Sequence, residues 1–377
     1  MEPTSLPSQF LDLLQRREEL TAARDSIDNF EAQHSARRWD GSLYRPIIDE
    51  FLHRHRPEFK VTWPREKRFA ACLTHDVDTA ELNSRRELSR TINLQVRYAE
   101  SFPKKLNQFI SVVGLRKSPR KIDIFTPWLE LEQRFGFCSS FFFFATRIRQ
   151  RHQIDNVYRW DDQTTYRGAR CPLKEIVRDL HSRGHEIGLH GSYLSHASYD
   201  MLAEQKEDLE KTLGAPVISN RQHNLHFDSR ITPPILEKAG LKIDSTLGFN
   251  RDVGFRVGTS YPFRMWDLSD ERWLNVTEVP LVLHDGALLR RDNLDLDPES
   301  AVALCKRLID RVIEANGVIT LLWHPESIAR PGWFDVYEKL LEYIRDQNGW
   351  GASTRQIHDW WTSQRFDEKL LAVLKTL

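Results

Sequence analysis

Side chains that can bind a metal or transfer a proton follow four short apolar segments of this sequence. They are Asp76 and Asp78, His190 with His196, Arg221 with His223, and His324. One carboxylate with two imidazoles is a common protein ligand set for a divalent first-row metal, often zinc, and it leaves positions open for water and a substrate oxygen. Such an ion lowers the pKa of its water to ~7 and polarises a carbonyl group. These residue types therefore predict a metal site suited to hydrolysis.

The same set also contains the acid and the base that such a hydrolysis needs. A second carboxylate beside the metal can accept a proton from the water, and a histidine on the opposite side can donate one to a leaving amine. An arginine near the base would hold it ionised and oriented. Alternation along an extended strand puts Asp76 and Asp78 on one side, with Val77 turned away. The two carboxylates can therefore serve one site.

A repeated pattern in the sequence predicts the strands that must position these residues. Residues 69–74 are an apolar run typical of a buried strand. From Pro127 onwards, a helix, a glycine or turn and an apolar strand recur, which is typical of a βα barrel or a doubly wound sheet. The predicted helix and strand pairs are 128–135 with 139–144, 172–183 with 185–189, 199–213 with 217–219, 233–239 with 241–243, 300–314 with 318–322, and 333–346 with 350–353. In a barrel the carboxyl ends of parallel strands lie on one face, where the polar residues would converge.

The N-terminal part of the chain does not follow this repeat. Its apolar positions predict one helix over about residues 8–31 and another over 43–55, and prolines follow. We therefore predict a small helical N-terminal region, residues 1–65, packed on a barrel domain of residues 66–377.

Two later segments also break the repeat. Residues 84–121 are rich in Arg and Lys, and we favour a solvated connection over a lid or a surface for an acidic ligand. In residues 247–289 glycines, prolines and aromatics interleave with apolar pairs. There we expect irregular loops and short strands that line or cover the site.

The composition is that of an ordinary globular protein, with a formal net charge of +0, 40% hydrophobic residues and 29% charged residues. The balanced charge removes the usual electrostatic argument for binding nucleic acid or an anionic membrane. No run approaches the ~20 apolar residues of a membrane span, and no secretory signal is visible at the N-terminus. The 4 cysteines are scattered and mostly in apolar settings, which indicates free buried thiols. We therefore expect a cytoplasmic protein.

The motifs, in this order, resemble the polysaccharide deacetylases of carbohydrate esterase family four. The resemblance covers roughly residues 69–361, and its most specific part is Gly-His-Glu-Ile-Gly-Leu-His at 184–190. The other matching motifs are Thr-His-Asp-Val-Asp at 74–78, Arg-Gln-His at 221–223 and an apolar strand ending in Leu-Trp-His at 322–324. The resemblance implies a distorted (β/α)7 barrel that removes N-acetyl groups from amino sugars with a zinc, cobalt or nickel ion.

Roles for individual residues also follow from the resemblance. It implies that Asp76 is the catalytic base, Asp78 the metal-binding carboxylate and His190 the first metal histidine. It further implies that Arg221 orients the base and that His324 is the general acid.

The chain departs from the family pattern at the second metal histidine. The family spacing is four residues, which places two histidines on one helical face, whereas His190 and His196 are six apart. A loop insertion could still bring His196 to the metal; the other candidate is His223, which we favour slightly. Asn224 and Leu225 stand where the family has an aromatic residue whose amide helps bind the oxyanion, so we expect the metal to bind it instead.

Three further residues are candidates for binding the substrate. Asp244 follows a predicted strand and would bind substrate or orient His324. Arg256 lies in a glycine-rich loop and would face an anionic group; the alternative is a surface arginine. Trp266 is a candidate platform for a sugar ring, although most of the 11 tryptophans must belong to the core.

The leading hypothesis is a metal-dependent hydrolase of a non-peptide C–N bond that deacylates an N-acyl sugar. Without a visible signal peptide, a nucleotide- or lipid-linked sugar of surface-polysaccharide biosynthesis is the expected substrate class. A second hypothesis keeps the metal site but assigns a non-sugar cyclic amide or ureido compound. A third, motivated by the histidine spacing, is a non-catalytic carbohydrate-binding barrel with a degenerate site.

Overall fold

A computed structural model of the chain describes residues 6–82 and 122–376. The basic segment 84–121 lies outside the described residues. The helices within them are α1 Leu6–Leu14, α2 Ile47–His55, α3 Thr126–Phe135, α4 Leu173–Ser182, α5 Tyr199–Leu213, α6 Thr232–Lys238, α7 Asp285–Leu289, α8 Pro298–Glu314, α9 Trp333–Asp346, α10 Thr354–Ser363 and α11 Phe366–Lys375. No helix among these residues combines the length and the apolar character that crossing a membrane requires.

The strands belong to one large sheet and one small hairpin. They are β1 Phe69–Val77, β2 Ser140–Phe143, β3 Gln163–Tyr166, β4 Ala169–Pro172, β5 Glu186–Gly191, β6 Ser219–Gln222, β7 Ile243–Asp244, β8 Phe263–Asp267, β9 Arg272–Glu278, β10 Leu283–His284, β11 Val318–Leu322 and β12 Gly349–Ala352. The hairpin is β3–β4, and the large sheet has the order β10-β11-β1-β2-β5-β6-β7-β9-β8, with β12 beside the first half of β1. Every pairing in the large sheet is parallel except β8 with β9.

This sheet curls into an open half-barrel, which confirms the predicted α/β barrel class. Its central strand, β1, is buried along its whole length, as expected of a parallel strand covered on both faces. Helices pack around the outside through one apolar face. In α8, for example, the buried residues recur at helical spacing, and Asp297 caps the helix by accepting a hydrogen bond from the Ser300 N–H.

Several boundaries differ from the sequence prediction. The first helix ends at Leu14 instead of near residue 31, and Arg16, two residues later, has a left-handed backbone (φ 61°) that an α-helix cannot contain. Strand β6 begins later than predicted and contains Arg221, since pairing with β5 sets His190 opposite Arg221. In the segment 247–289, where short strands were expected, the structure has the β8–β9 hairpin and β10.

Candidate active site

The polar residues at the ends of β1, β5, β6 and β11 converge on one cavity of about 740 Å³. The parallel direction of these strands brings their carboxyl ends to the same edge, as the barrel prediction required. The predicted catalytic and metal residues that line the cavity are Asp76, Asp78, His190, His223 and His324.

Asp78, His190 and His223 form a group with the donor types and spacing of a metal site. Each offers one ligand atom, and these atoms all lie within 4.8 Å of one another. Oδ1 of Asp78 lies 3.4 Å from Nε2 of His190 and 3.9 Å from Nε2 of His223. This oxygen is buried and has no hydrogen-bond partner among the described residues. A buried orphan carboxylate oxygen facing two imidazole nitrogens is what a divalent cation would satisfy, so these residues fit the expected metal.

The ring nitrogens that face away from Asp78 hold both imidazoles in the orientation of metal ligands. Nδ1–H of His190 donates to the carbonyl oxygen of Arg221 at 2.8 Å. Nδ1–H of His223 donates to Oδ1 of Asp155 at 3.1 Å. Since a carbonyl or carboxylate oxygen can only accept, both protons lie on Nδ1, and the Nε2 lone pairs point towards Asp78. Asp155 is itself fixed, because it accepts from the Tyr193 amide at 2.8 Å.

Asp76 lies beside this group and is held by Arg221. The fully buried guanidinium donates to Oδ1 of Asp76 at 3.2 Å and to the Thr74 hydroxyl at 2.7 Å. Its remaining nitrogens donate to the backbone oxygen and hydroxyl of Ser245 at 2.7 and 2.8 Å. Oδ2 of Asp76 lies 3.8 Å from Nε2 of His190. The Asp76 carboxylate is thus fixed with one oxygen towards the metal group.

His324 approaches the group from the opposite side. Its Nδ1–H donates to Oδ1 of Asp285 at 2.8 Å, and its backbone N–H donates to Oδ2 at 2.9 Å. Nε2 then points into the cavity, 3.7 Å from Oδ2 of Asp78. Asp285 is completely buried at the start of α7. A histidine whose Nδ1 is bound to a carboxylate is oriented to exchange a proton at Nε2.

The pKa shifts in the site suit a metal-binding carboxylate, a neutral metal-binding imidazole and a protonated general acid. Burial raises the pKa of Asp78, but the surrounding imidazoles outweigh burial and hold that pKa well below its usual range. Burial lowers the pKa of His223, which favours the neutral form that a metal ligand needs. Burial also lowers the pKa of His324, but Asp285 more than offsets this effect and raises that pKa to about 10. His324 therefore carries a proton that it can give away.

A buried polar pair lies directly beneath the site. His75 donates through Nδ1–H to the Trp323 backbone oxygen at 2.8 Å, and its Nε2 lies 2.8 Å from Oε1 of Glu132. Glu132 also accepts from the Tyr337 hydroxyl at 2.7 Å. This pair ties β1 to α3 and to the residue before His324, so His75 packs behind the site and does not line the cavity.

The structure places the other predicted site residues outside the cavity. His196 donates to the Tyr193 carbonyl at 2.9 Å and lies against His226, with ring centroids 3.6 Å apart. Asp244 is buried and accepts from Asn220 at 2.7 Å. Each is committed to a protein contact away from the cavity.

Arg256 and Trp266 are also engaged elsewhere. Arg256 is buried and donates to Glu19 at 2.7 Å and to the Gly248 carbonyl at 2.8 Å. Trp266 packs edge-on against Trp273 in the β8–β9 hairpin, with ring centroids 4.8 Å apart. Neither side chain lines the cavity.

One wall of the cavity comes from the N-terminal region, which sequence reasoning did not connect to the site. Asp25 and Ile27 line the cavity. The Tyr193 hydroxyl donates to the Ile27 carbonyl at 2.5 Å, and the Asn29 amide donates to the Asn224 carbonyl at 3.0 Å. Asn224 follows His223 directly and has a left-handed backbone, φ 53°. The N-terminal region is therefore anchored at the residue next to a candidate ligand.

The remaining lining residues are mostly polar. Among the described residues, the lining includes no aromatic side chain besides imidazoles. Two arginines, Arg251 and Arg290, face the cavity, and within the described parts of the chain neither forms an ion pair. His284 also lines it, beside His324.

Comparisons with known proteins agree with this architecture. No protein-family model matches the sequence, and no curated protein matches it. A solved structure assigned as a polysaccharide deacetylase from Mycobacterium smegmatis is 21% identical, with a TM-score of 0.53 over 81% of this chain and 94% of that chain. One so assigned from Pseudomonas aeruginosa PAO1 is 15% identical, with a TM-score of 0.51 over 80% of this chain and 94% of that one. The Puue allantoinase is 14% identical, with a TM-score of 0.51 over 80% and 93%. The chain therefore has the fold of the polysaccharide deacetylases, and the resemblance predicted from its motifs is confirmed at the level of the fold.

Proposed function

We propose that this chain is a divergent polysaccharide deacetylase: a metal-dependent hydrolase that removes an acyl group from an amide nitrogen on a sugar. One observation carries the proposal. A candidate metal group of Asp78, His190 and His223 lies between an arginine-held carboxylate, Asp76, and a histidine bound to a carboxylate, His324. Base, metal and acid in this order are what amide hydrolysis needs.

The residues divide the reaction between them. When bound, a divalent cation supplies Lewis-acid activation of water and of the amide carbonyl. Asp76, held in place by Arg221, accepts the proton of the attacking water. His324 donates its Nε2 proton to the amide nitrogen as the C–N bond breaks. The water oxygen ends in the released carboxylate, and the sugar is left as a free amine.

The lining of the cavity favours a polar substrate. The N-terminal wall at Asp25 and Ile27 closes one side, and asparagines and charged side chains dominate the lining. Arg251 and Arg290 can meet a negative group, which favours a nucleotide- or lipid-linked N-acetyl sugar over a neutral polymer. We propose that such an intermediate of surface-polysaccharide synthesis, handled in the cytoplasm, is the substrate.

A second candidate function is the hydrolysis of a non-sugar cyclic amide. The described part of the cavity wall lacks the aromatic platforms that sugar rings often use, which favours this candidate. The Puue allantoinase has the same fold. The candidate group of Asp78, His190 and His223 supports a catalytic site over the degenerate binding barrel, which the spacing of His190 and His196 had motivated.

The function is tested by acetate release from protein loaded with Zn²⁺ or Co²⁺. We expect release from N-acetylated nucleotide or lipid-linked sugars, and none after the metal is removed with a chelator. Chitin oligosaccharides and allantoin serve as the comparison substrates. Ring opening of allantoin without acetate release would favour the second candidate, and no reaction with any substrate, with metal confirmed bound, would reject both.

A paired substitution tests the third ligand. His223→Gln is expected to weaken Zn²⁺ binding by at least about 100-fold. The substitution removes a direct metal ligand, which should cost at least as much affinity as losing a residue that only orients a ligand. His196→Gln is the matched control and should leave affinity unchanged, since His196 faces His226. Isothermal titration of both variants measures this, and the opposite order of affinities would assign the ligand to His196.

A further inference from the structure

His284 is a buried histidine in the cavity wall for which the proposed reaction has no use. It is the last residue of β10 and lies beside His324, with ring centroids 5.5 Å apart. Its Nδ1 lies 3.3 Å from the Phe249 carbonyl, to which it can only donate. Its Nε2 is buried and has no hydrogen-bond partner within the described residues. A buried imidazole nitrogen with an unused lone pair on a cavity wall is available to bind a ligand.

His284, Asp285 and His324 together form a second cluster with metal-ligand chemistry. Their ligand atoms all lie within 4.8 Å of one another, and the cluster shares no residue with the first group. Nε2 of His284 is 3.7 Å from Oδ1 of Asp285, a separation that one ion can bridge with two bonds of ~2 Å. We infer that these three residues form a second Zn²⁺ site and that its occupation inhibits the enzyme; the inhibitory part rests on the proposed function.

Inhibition follows from the hydrogen bond that the second ion would replace. A Zn²⁺ ion needs an imidazole lone pair, so binding to His324 releases a proton to solvent. At Nδ1 the ion would break the bond to Asp285, which orients His324 at 2.8 Å. At Nε2 it would occupy the atom that donates to the leaving amine. In either case His324 can no longer act as the general acid.

The second site should bind more weakly than the first. A Cβ atom on Gly286 would lie 3.0 Å from Nε2 of His284 and 3.1 Å from Nε of Arg290. The arginine is therefore close to the cluster, and its positive charge opposes a second cation. Because Arg290 is exposed and can move aside, the site remains accessible, but we expect it to fill only when Zn²⁺ exceeds one equivalent.

The test is a Zn²⁺ titration of the full chain followed by calorimetry and metal analysis. The wild-type protein is expected to bind two equivalents, the second at least about tenfold more weakly and with proton release. His284→Gln should bind only one. Gly286→Ala keeps every ligand but crowds Nε2 of His284, so it should weaken the second equivalent. The control is His226→Gln, which removes a histidine outside the cavity and should still bind two.

Acetate release, normalised to each variant at one equivalent, tests inhibition separately. Excess Zn²⁺ should lower wild-type activity at least about tenfold and spare His284→Gln. A single equivalent in the wild type, or two in His284→Gln, would overturn the second site. Two equivalents without loss of activity would overturn the inhibition, and absence of activity at every Zn²⁺ level would instead reject the proposed function.

Discussion

Replacing Asp78 by asparagine is expected to abolish tight metal binding and to lower acetate release by about 10³-fold. Metal-assisted charge stabilisation is worth several kcal/mol, and each ~1.4 kcal/mol is a factor of ten in rate. Asparagine keeps the volume of the side chain but removes the only negative ligand atom of a group that otherwise contains two imidazoles. The change therefore removes charge with little change in packing. Metal content after desalting and kcat/KM measure the two effects.

A cavity-lining aspartate offers a matched control. Asp292→Asn makes the same chemical change at the rim of the cavity, outside both metal groups. This variant should keep one tightly bound equivalent of metal and most of its activity. If Asp78→Asn retained metal and activity like the control, the assignment of Asp78 as a ligand would be contradicted.

The strand-end residues were predictable because their signal is local. Asp76, Asp78, His190 and His324 each follow an apolar run, and a parallel sheet brings all such ends to one edge. Local sequence could not decide whether His196 or His223 is the second metal histidine. Pairing of β5 with β6 sets His190 opposite Arg221, and His223 follows two residues later on the same side. The spacing of residues along the chain does not reveal this strand register.

The residues that the sequence did not reveal, or to which it gave a wrong role, form contacts between distant parts of the chain. Asp285 follows a strand of two residues, which is too short to give a periodic signal, and it reaches His324 across 39 positions. Arg256 seemed a candidate for an anionic substrate because its loop is rich in glycine. Its partner is Glu19, 237 residues earlier, and the ion pair buries both. Pairings at such separations depend on the tertiary structure, which local patterns do not specify.

The same reasoning explains the N-terminal wall. The sequence predicted one continuous helix over residues 8–31, in an N-terminal region separate from the site. In the structure, Asp25 folds the chain locally by accepting from the amides of Ile27 and Asn29 at 3.0 and 2.9 Å. The resulting loop reaches the cavity through hydrogen bonds to Tyr193 and Asn224. Part of the candidate site thus lies outside the barrel domain that the motifs define.

Replacing His324 by glutamine is expected to lower kcat by about 10²- to 10⁴-fold, the usual contribution of a positioned proton donor. Unlike Asp78→Asn, this variant should keep its tightly bound metal, because His324 does not belong to the group of Asp78, His190 and His223. Loss of rate with retained metal separates the acid from the ligands. Loss of the metal as well would place His324 among the ligands.

Asp285→Asn tests whether Asp285 orients His324 and raises its pKa for the role of general acid. Asp285 positions His324 through two hydrogen bonds and raises its pKa, against the opposite effect of burial. Asparagine removes the negative charge, so the pKa of His324 should fall. Because the acid must be protonated to act, activity is lost as pH rises through that pKa, and the alkaline limb of the kcat profile should move to lower pH. A merely structural role for Asp285 would lower kcat at every pH without moving the limb, and that result would leave His324 without its proposed partner.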